Sequence, residues 1–349
     1  MAKTFRIGVL GLTHDHVWSN LRELRETGRS VLVAAADPNA PLLDKVRQEY
    51  GCAVHTQSEK LLDVEQLDAV YLFSDNASSV RWTELAAAKG LHILVEKPMA
   101  HNLAGADRML AAVRQANVRL MVNWPFAWWP QLRRALEMAE GGTIGNLWQV
   151  KYRAAHAGPR ELGCSPYFYG WLYDRARNGA GALMDYCCYG AVLARCLLGM
   201  PSRVTGVAGR LCKEDILVED NAVLLFSYPR ALALSEGSWT QIDKKTAYIT
   251  TIYGTKGTLF IEPRQGGRLL LATADQPDGV EVEVAAPPPA LRSASAHFLH
   301  CLESGEPFLP LCDARMCRDA QEMLEAGLLS AAQGREIALP LKSFAEPSR

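Results

Sequence analysis

The sequence predicts an α/β chain: an N-terminal doubly wound domain on a parallel sheet, then an α+β domain built on a mostly antiparallel open sheet. Three observations carry this. The first third alternates short β-rich runs with helical stretches, a strand–helix–strand rhythm that implies a parallel sheet covered on both faces. Past residue 123 the composition changes, with Trp124, Phe126, Trp128 and Trp129 clustered and extended runs outnumbering helical ones. The length of 349 residues, 49% hydrophobic and 21% charged, suits about two domains with sizeable cores.

Taken in order, residues 5–10 read as a strand, 18–26 as a helix, 31–36 as a strand and 40–50 as a helix. Buried strands at 69–73 and 93–95 flank a helix at 79–89, and a helix at 103–115 with a strand at 119–123 completes the unit. The division is therefore 1–123 and 124–349. In the second part, extended runs fall at 147–154, 204–210, 222–227, 231–239, 247–253 and 257–261. The turns Gly254-Thr255-Lys256-Gly257 and Gln265-Gly266-Gly267 carry the glycines that such a sheet needs at its reversals. Residues 181–198 read as a helix with a glycine-rich entry, ended by Gly199 and Pro201. Residues 275–290, with Pro287-Pro288-Pro289, read as a surface loop; helices at 293–303 and 314–333 precede a last strand at 337–341, expected to return to a sheet.

Composition narrows the partners. With 37 basic and 38 acidic residues there is no electrostatic footprint for nucleic acid and no charged tail for an anionic membrane. The most apolar window, 181–200, contains Asp185 and Arg195, which suits a buried helix better than a membrane span. The chain enters its first strand within a few residues, without a signal-peptide pattern, so a cytoplasmic location is expected. Nine cysteines are scattered without a CxxC pair, suggesting neither a disulfide framework nor a zinc site. Cys187 and Cys188 read as core thiols.

Gly8-Val9-Leu10-Gly11-Leu12-Thr13-His14-Asp15-His16 follows a strand and opens a helix. A helix N-terminus there offers N–H groups and positive potential to a phosphate. The glycine fingerprint is degraded, because Thr13 and His16 stand where the second and third glycines belong. Thr13 has a hydroxyl to offer phosphate instead. Asp37, at the end of the second strand, is placed to accept from an adenosine ribose; the competing role is a helix N-cap. Pro38 and Asn39 follow it and no arginine is adjacent, so NAD is favoured over NADP. His14 and His16 look like a metal pair, but positions i and i+2 are not expected to converge at a helix start; no metal is assigned, and His14 is placed at the lip near the nicotinamide.

Glu96-Lys97-Pro98 closes the strand Ile93-Leu94-Val95. Together with Gly179-Ala180-Gly181-Ala182-Leu183-Met184-Asp185, Val218-Glu219-Asp220-Asn221-Ala222, Ile252-Tyr253-Gly254-Thr255-Lys256-Gly257-Thr258-Leu259 and Ala338-Leu339-Pro340-Leu341, it resembles the glucose-fructose oxidoreductase, inositol dehydrogenase and rhizopine-catabolism (Gfo/Idh/MocA) family over nearly the whole chain. The resemblance implies a Rossmann domain holding NAD, a C-terminal substrate domain, an oxidoreductase activity on sugars or cyclitols, and a homodimer or homotetramer formed through the second domain.

Hydride transfer from a carbinol needs a group to take the hydroxyl proton at the C-terminal edge of the parallel sheet. Lys97 stands at that edge. Asp185 and Tyr189 share a helical face at i, i+4; the family commonly has Asp-x-Gly-x-His here, and this chain has Cys187 and Tyr189 at the last two places. Tyrosine there is similar to the glucose-fructose oxidoreductase and dihydrodiol dehydrogenase branches. A phenol of ordinary pKa of about 10 needs a neighbouring cation to act near neutral pH. The reading is therefore Tyr189 as acid/base, Lys97 as its electrostatic and relay partner, and Asp185 orienting a substrate hydroxyl; the alternative gives Lys97 the base role.

Ser74-Asp75-Asn76-Ala77-Ser78-Ser79 replaces the family's Thr-Pro-Asn-x-x-His, retaining a hydroxyl at Ser74 and the amide of Asn76 for the cofactor, with Glu96 as a further cofactor contact. Trp124 to Pro130 replaces an arginine-rich stretch, and apolar packing substitutes for charge. Tyr167, Phe168, Tyr169, Trp171 and Tyr173, read as a loop, offer rings for a sugar face, with Tyr169 and Trp171 assigned to substrate. His156 is assigned to substrate hydroxyls. The resulting function is an NAD-dependent dehydrogenase of a sugar, sugar derivative or cyclitol. The alternatives are an NAD-retaining glycoside hydrolase or lyase that works by transient oxidation, and a non-catalytic NAD-sensing regulator.

Overall fold

The computed structural model describes residues 3–262 and 267–341. Gln265 and Gly266 of the second predicted turn, and Met1 and Ala2 at the N-terminus, lie outside the described residues. A six-stranded sheet has the order β3-β2-β1-β4-β5-β6, from β1 Phe5–Leu10, β2 Ser30–Ala36, β3 Ala53–His55, β4 Ala69–Leu72, β5 His92–Glu96 and β6 Leu120–Asn123. Every neighbouring pair is parallel. β1 and β4 bury almost every side chain, as central strands with helices on both faces must. The strand order reverses between β1 and β4, which opens a crevice at the C-terminal strand ends. There the register sets Leu10 beside both Ala36 and Leu72, and Glu96 beside Asn123, so Gly11, Asp37, Ser74 and Lys97 follow along one edge.

The sequence reading misses β3 and the helix Ser58–Val64. A three-residue edge strand with no buried side chain has too little periodicity to see.

A second sheet of nine strands has the order β14-β13-β12-β11-β7-β10-β9-β8-β15, from β7 Leu147–Ala155, β8 Arg203–Gly209, β9 Asn221–Ser227, β10 Leu232–Ser238, β11 Ile249–Gly254, β12 Thr258–Ile261, β13 Leu269–Thr273, β14 Gln276–Glu281 and β15 Ile337–Ala338. β7 and β10 run parallel; the remaining pairs are antiparallel. One face carries Ala222, Leu224, Phe226, Ala233 and Ser235, all buried, under the helices Cys188–Leu198 and Ala314–Gln333. On the other face Val207, Val223 and Leu232 are exposed.

The last strand returns to pair with β8. β13 was unforeseen, and β14 lies inside the predicted loop at 275–290, because an edge strand mostly exposed along its length shows no alternation. The aromatics Tyr167, Phe168, Tyr169 and Trp171 sit on a helix, Pro166–Leu172, rather than a loop, and Tyr173 caps its end. Pro166 at its first position and the Ser165 hydroxyl capping it start that helix.

The division at residue 123 describes the sheets but not all the helices. Helix Ala294–Ser304 packs back on the helix His16–Glu26, and Tyr71 Oη donates to Ser295 Oγ at 3.1 Å. The segment Arg175–Leu198 is long and apolar enough to cross a membrane, yet 78% of its most apolar window is buried inside the protein, where it forms the core helix of the second domain.

Candidate active site

Gly11 ends β1 with φ +82°, and a Cβ built on it falls 2.6 Å from Ser74 N. Only glycine suits this left-handed, closely approached position. Asp37 is buried beside the loop; its Oδ2 accepts from Leu12 N at 2.7 Å and its Oδ1 from Asn39 N and Nδ2 at 2.8 and 2.7 Å. A carboxylate has about four lone-pair sites, so capacity remains for a ribose hydroxyl. Asn39, not Asp37, occupies the N-cap of the next helix. The cradle at Gly11, the helix beginning at His16 and the Asp37 carboxylate fit a dinucleotide, with Gly8 inside β1 and Leu12, Thr13 and His14 along the loop.

Asn76 is placed differently from its expected cofactor role. Its Nδ2 donates to Asn178 O and Oδ1 at 3.2 and 2.8 Å, so its buried amide ties the two domains together. Arg177 likewise donates to Asp75 Oδ2 at 2.9 Å. Ser74 Oγ bonds Asp75 O and Ser79 Oγ, beside the cradle.

His14 and His16 do converge, contrary to the i, i+2 argument. Their ligand-capable atoms and a Glu96 oxygen lie within 4.8 Å of one another. The backbone explains it: His16 N donates to His14 Nδ1 at 3.2 Å, folding the turn so that the rings sit 4.5 Å apart. Burial first, then the charges of His16 and Lys97, push His14 well below the usual histidine range. His16 Nδ1 meets Glu96 Oε1 at 3.1 Å, and Glu96 Oε2 accepts from Asn123 Nδ2 at 2.8 Å. The three side chains form a hydrogen-bonded run that orients Glu96.

The centre of the site is a buried ion pair. Lys97 Nζ donates to Asp185 Oδ1 at 2.7 Å and to Asp185 O at 3.0 Å, and Trp239 Nε1 donates to Asp185 Oδ2 at 3.1 Å. Burial alone would lower the Lys97 pKa, but the Asp185 charge and hydrogen bond outweigh it and raise it above the ordinary lysine value. Burial likewise opposes the Asp185 charge, and Lys97, then His156 and Trp239, hold the carboxyl below its ordinary value. Each Asp185 oxygen accepts one of these side-chain donors, so the carboxylate holds Lys97 while lone pairs remain for a substrate hydroxyl at the cavity it lines. Trp239 has no signal in the sequence; it lies at the end of β10 and meets Asp185 only through the fold.

Tyr189 is brought beside this pair but is not tuned as expected. The Lys97 ammonium lies 4.9 Å from the Tyr189 ring centroid, with its charge matched by Asp185. Tyr189 packs among Trp124, Phe126 and Tyr152, and burial, followed by Cys188 and Tyr152, drives its phenol well above the ordinary value. The predicted apolar replacement for the arginine-rich stretch is this aromatic wall.

A cavity of ≈ 160 Å³ opens between the domains, lined by His16, Lys97, His156, Phe168, Asp185, Tyr186, Tyr189 and Tyr248 among others. Tyr186 and Tyr248 were not foreseen. The turn Leu183–Cys187 is a π-helix, a widened winding often found at functional sites, and it brings Tyr186 into the cavity with Asp185 and Tyr189. Tyr186 Oη lies 3.0 Å from Tyr248 Oη, and Tyr248 holds φ +60°, a strained conformation for a bulky residue. His156 lines the cavity as expected. Tyr169 packs against Tyr173, and Trp171 is buried against His14 and Phe168; neither lines the cavity. Phe168 and Leu172, i and i+4 on that helix, do.

Residues 5–124 match the model of an oxidoreductase family with an NAD-binding Rossmann fold, and residues 132–260 match the GFO/IDH/MocA C-terminal domain. The chain is 27% identical to D-apiose dehydrogenase of Paraburkholderia graminis, covering 95% of this chain and 88% of that protein. It is 22% identical to myo-inositol 2-dehydrogenase of Thermotoga maritima, over 74% of this chain and 75% of the relative. An oxidoreductase from Agrobacterium radiobacter, solved in complex with NAD+, L-tartaric acid and magnesium, superposes with a TM-score of 0.81 at 20% identity, covering 96% of this chain and 98% of the other. With both domains matched and Glu96-Lys97-Pro98 facing Asp185 across the cleft, the chain belongs to the Gfo/Idh/MocA family of NAD-dependent oxidoreductases.

Proposed function

We propose that the protein transfers hydride between NAD and a secondary alcohol of a small, uncharged sugar, sugar derivative or cyclitol. The observation that carries this is the Lys97–Asp185 pair, set at the cavity wall where the strand edge carrying Gly11 and Asp37 meets the second domain. NAD held by that edge supplies the hydride acceptor. Lys97 holds the proton at Nζ: as an ammonium it delivers that proton to a carbonyl oxygen in the reducing sense, and in the oxidising sense its neutral form takes the hydroxyl proton. Asp185, fixed by Trp239, keeps Nζ in place and stabilises its charge. Tyr189 presents a phenol that stays protonated and orients the reacting oxygen.

The substrate class follows from charge and size. The Lys97 charge is matched by Asp185, while Arg160 and Lys213 near the cavity loop are paired with Asp215 and Glu161, so a phosphate or carboxylate finds no spare cation among them. A cavity of ≈ 160 Å³ is close to the engineered cavity of about 150 Å³ that holds a single benzene ring. The sugar and cyclitol substrates named for the P. graminis and T. maritima relatives support the same class. No arginine follows Asp37, in keeping with NAD rather than NADP.

The test is a panel of pentoses, hexoses and cyclitols with NAD, read by NADH absorbance. Turnover of neutral members and not of their phosphates is expected. Cleavage of a glycoside without net NADH would instead favour the NAD-retaining hydrolase or lyase, and stoichiometric NAD binding with no turnover the regulator. The exposed row Val207, Val223 and Leu232 on the uncovered sheet face suits burial against a second copy; a homodimer or homotetramer by light scattering, dispersed by Val223→Lys, is expected, and a wild-type monomer refutes it. A cytoplasmic location is part of the same reading.

A further inference from the structure

We infer that Tyr186 decides which alcohols the cavity admits, excluding those with a bulky substituent on the carbon next to the reacting carbinol. Gly237 is the positioning residue that lets the ring stand there. The inference rests on the dehydrogenase reading for the chemistry at Lys97, but the wall that Tyr186 makes follows from the chain alone.

An α-helix through residues 183–189 would group Asp185 with Tyr189 and turn residue 186 aside. The winding of Leu183–Cys187 is instead π, with hydrogen bonds from i to i+5, so each residue advances less around the axis. Tyr186 therefore joins Asp185 and Tyr189 at the cavity. Side chains from other elements hold both ends of this wide turn. Glu219 Oε1 accepts from Gly181 N at 2.6 Å and from Leu183 N at 3.0 Å, and Ser235 Oγ donates to Cys187 O at 3.0 Å.

The turn is seated on β10 at Gly237. A Cβ there would lie 2.7 Å from Ala182 O and 3.1 Å from Tyr186 Cβ, the close approach for which a strand keeps a glycine. The cross-strand neighbours of Gly237, Ala222 and Ala154, are small as well. Any side chain at 237 would push the turn, and Tyr186 with it, off the sheet.

In the cavity the buried Tyr186 ring is a fixed wall. It stands edge-on to His156 and Tyr248, with centroids 4.9 and 6.0 Å apart and planes at 79° and 81°, and its Oη lies 3.0 Å from Tyr248 Oη. Swinging the phenol aside breaks that bond. Lys97 Nζ sits between two rings, 4.9 Å from the Tyr189 centroid and 5.7 Å from that of Tyr186. An alcohol oxygen within about 2.9 Å of Nζ has its carbinol carbon one bond beyond it and the neighbouring carbon two bonds beyond. A large group on that neighbour, on the Tyr186 side, meets the ring. A hydroxyl or hydrogen there does not.

The test compares the best alcohol of the substrate panel with its benzyl ethers on each hydroxyl next to the reacting one. Wild type should prefer the unsubstituted alcohol, and Tyr186→Ala should raise the kcat/KM ratio of at least one ether to the parent by about tenfold or more. Tyr186→Leu, which also lacks the ring, serves if the alanine variant does not fold. Tyr186→Phe keeps the ring and loses only the bond to Tyr248, so it should keep the wild-type ratio. Gly237→Ala should raise KM for the parent alcohol more than it lowers kcat, and that rise should shrink in the Tyr186→Ala background. An unchanged ratio in the ring-less variants, or an unchanged KM in Gly237→Ala, overturns the corresponding assignment. If wild type turns over no alcohol, the dehydrogenase reading fails, and calorimetric titration of glucose, inositol and their benzyl ethers into the NADH complex decides the inference instead. Ethers bound by Tyr186→Ala and not by wild type uphold it; equal binding by both, or none by either, overturns it.

Discussion

Replacing Asp185 with asparagine tests the buried pair directly. Two donors, Lys97 Nζ at 2.7 Å and Trp239 Nε1 at 3.1 Å, converge on the two carboxylate oxygens. An amide offers one oxygen, so one donor must face an NH2 group. Removing one partner of a buried ion pair typically costs about 3–5 kcal/mol because the other charge is left uncompensated.

In wild type, Lys97 sits above its unfolded value of 10.5, so its contribution is fully present below pH 10.5 and is lost only as pH rises through the folded value. Asp185 sits below its unfolded 3.8, so its contribution is present above pH 3.8 and is lost as pH falls through the folded value. Across the neutral range the wild-type pair therefore adds no pH slope. In Asp185→Asn the sign is expected to reverse: with the Asp185 charge gone and only Cys188 and Glu96 left to oppose it, burial lowers Lys97 below its unfolded value, the unfolded chain binds more protons, and stability rises with pH by up to about 1.4 kcal/mol per unit. Urea unfolding followed by tryptophan fluorescence at about pH 6 and about pH 9 should show a deficit of roughly 3–5 kcal/mol that shrinks at the higher pH. A deficit below about 1 kcal/mol at the lower pH, or one that does not change with pH, refutes the reasoning.

Three further outcomes follow from the same geometry. Lys97→Ala should lower kcat by about 10²–10⁴-fold with NADH affinity nearly unchanged by fluorescence titration, while Tyr189→Phe, losing one neutral hydrogen bond, should cost about tenfold or less; equal losses would return the proton-carrying role to Tyr189. Because Asp185 raises Lys97 above 10.5, kcat/KM for alcohol oxidation should climb through the alkaline range without a plateau below about pH 10, and a plateau near neutrality would point to another base. Gly11→Ala, with φ +82° and its Cβ 2.6 Å from Ser74 N, should lose about 1–3 kcal/mol of stability and weaken NADH binding; a variant of full stability and affinity would show that the cradle tolerates a side chain.

What the sequence could reveal depended on whether a residue's role was written in its neighbours along the chain. The central strands were legible because burial on both faces leaves near-continuous apolar runs. Lys97 and Asp185 were legible because each belongs to a short motif at an element boundary. The phase of Tyr186 was not: a 3.6-residue period groups Asp185 with Tyr189 and turns Tyr186 aside, and the π-winding of Leu183–Cys187 that brings it back leaves no compositional mark. Trp171 was preferred to Phe168 for the same reason, since a segment read as a loop has no face.

The harder loss concerns partners of the charges. Trp239 on Asp185, Gly158 N–H on His156 and His16 N–H on His14 are donors whose effect is to decide which atom carries a proton. Two of the three are backbone groups, which every residue has, so no choice of side chain announces them. Sequence therefore names the titratable groups of such a site, while the assignment of acid, donor and counter-ion among them comes from the hydrogen bonds that the fold directs at each one. That is why Tyr189, the natural acid/base by residue type, is a group that burial holds in its protonated state, and why the proposed mechanism assigns the proton to Lys97, matched on one side and facing the cavity on the other.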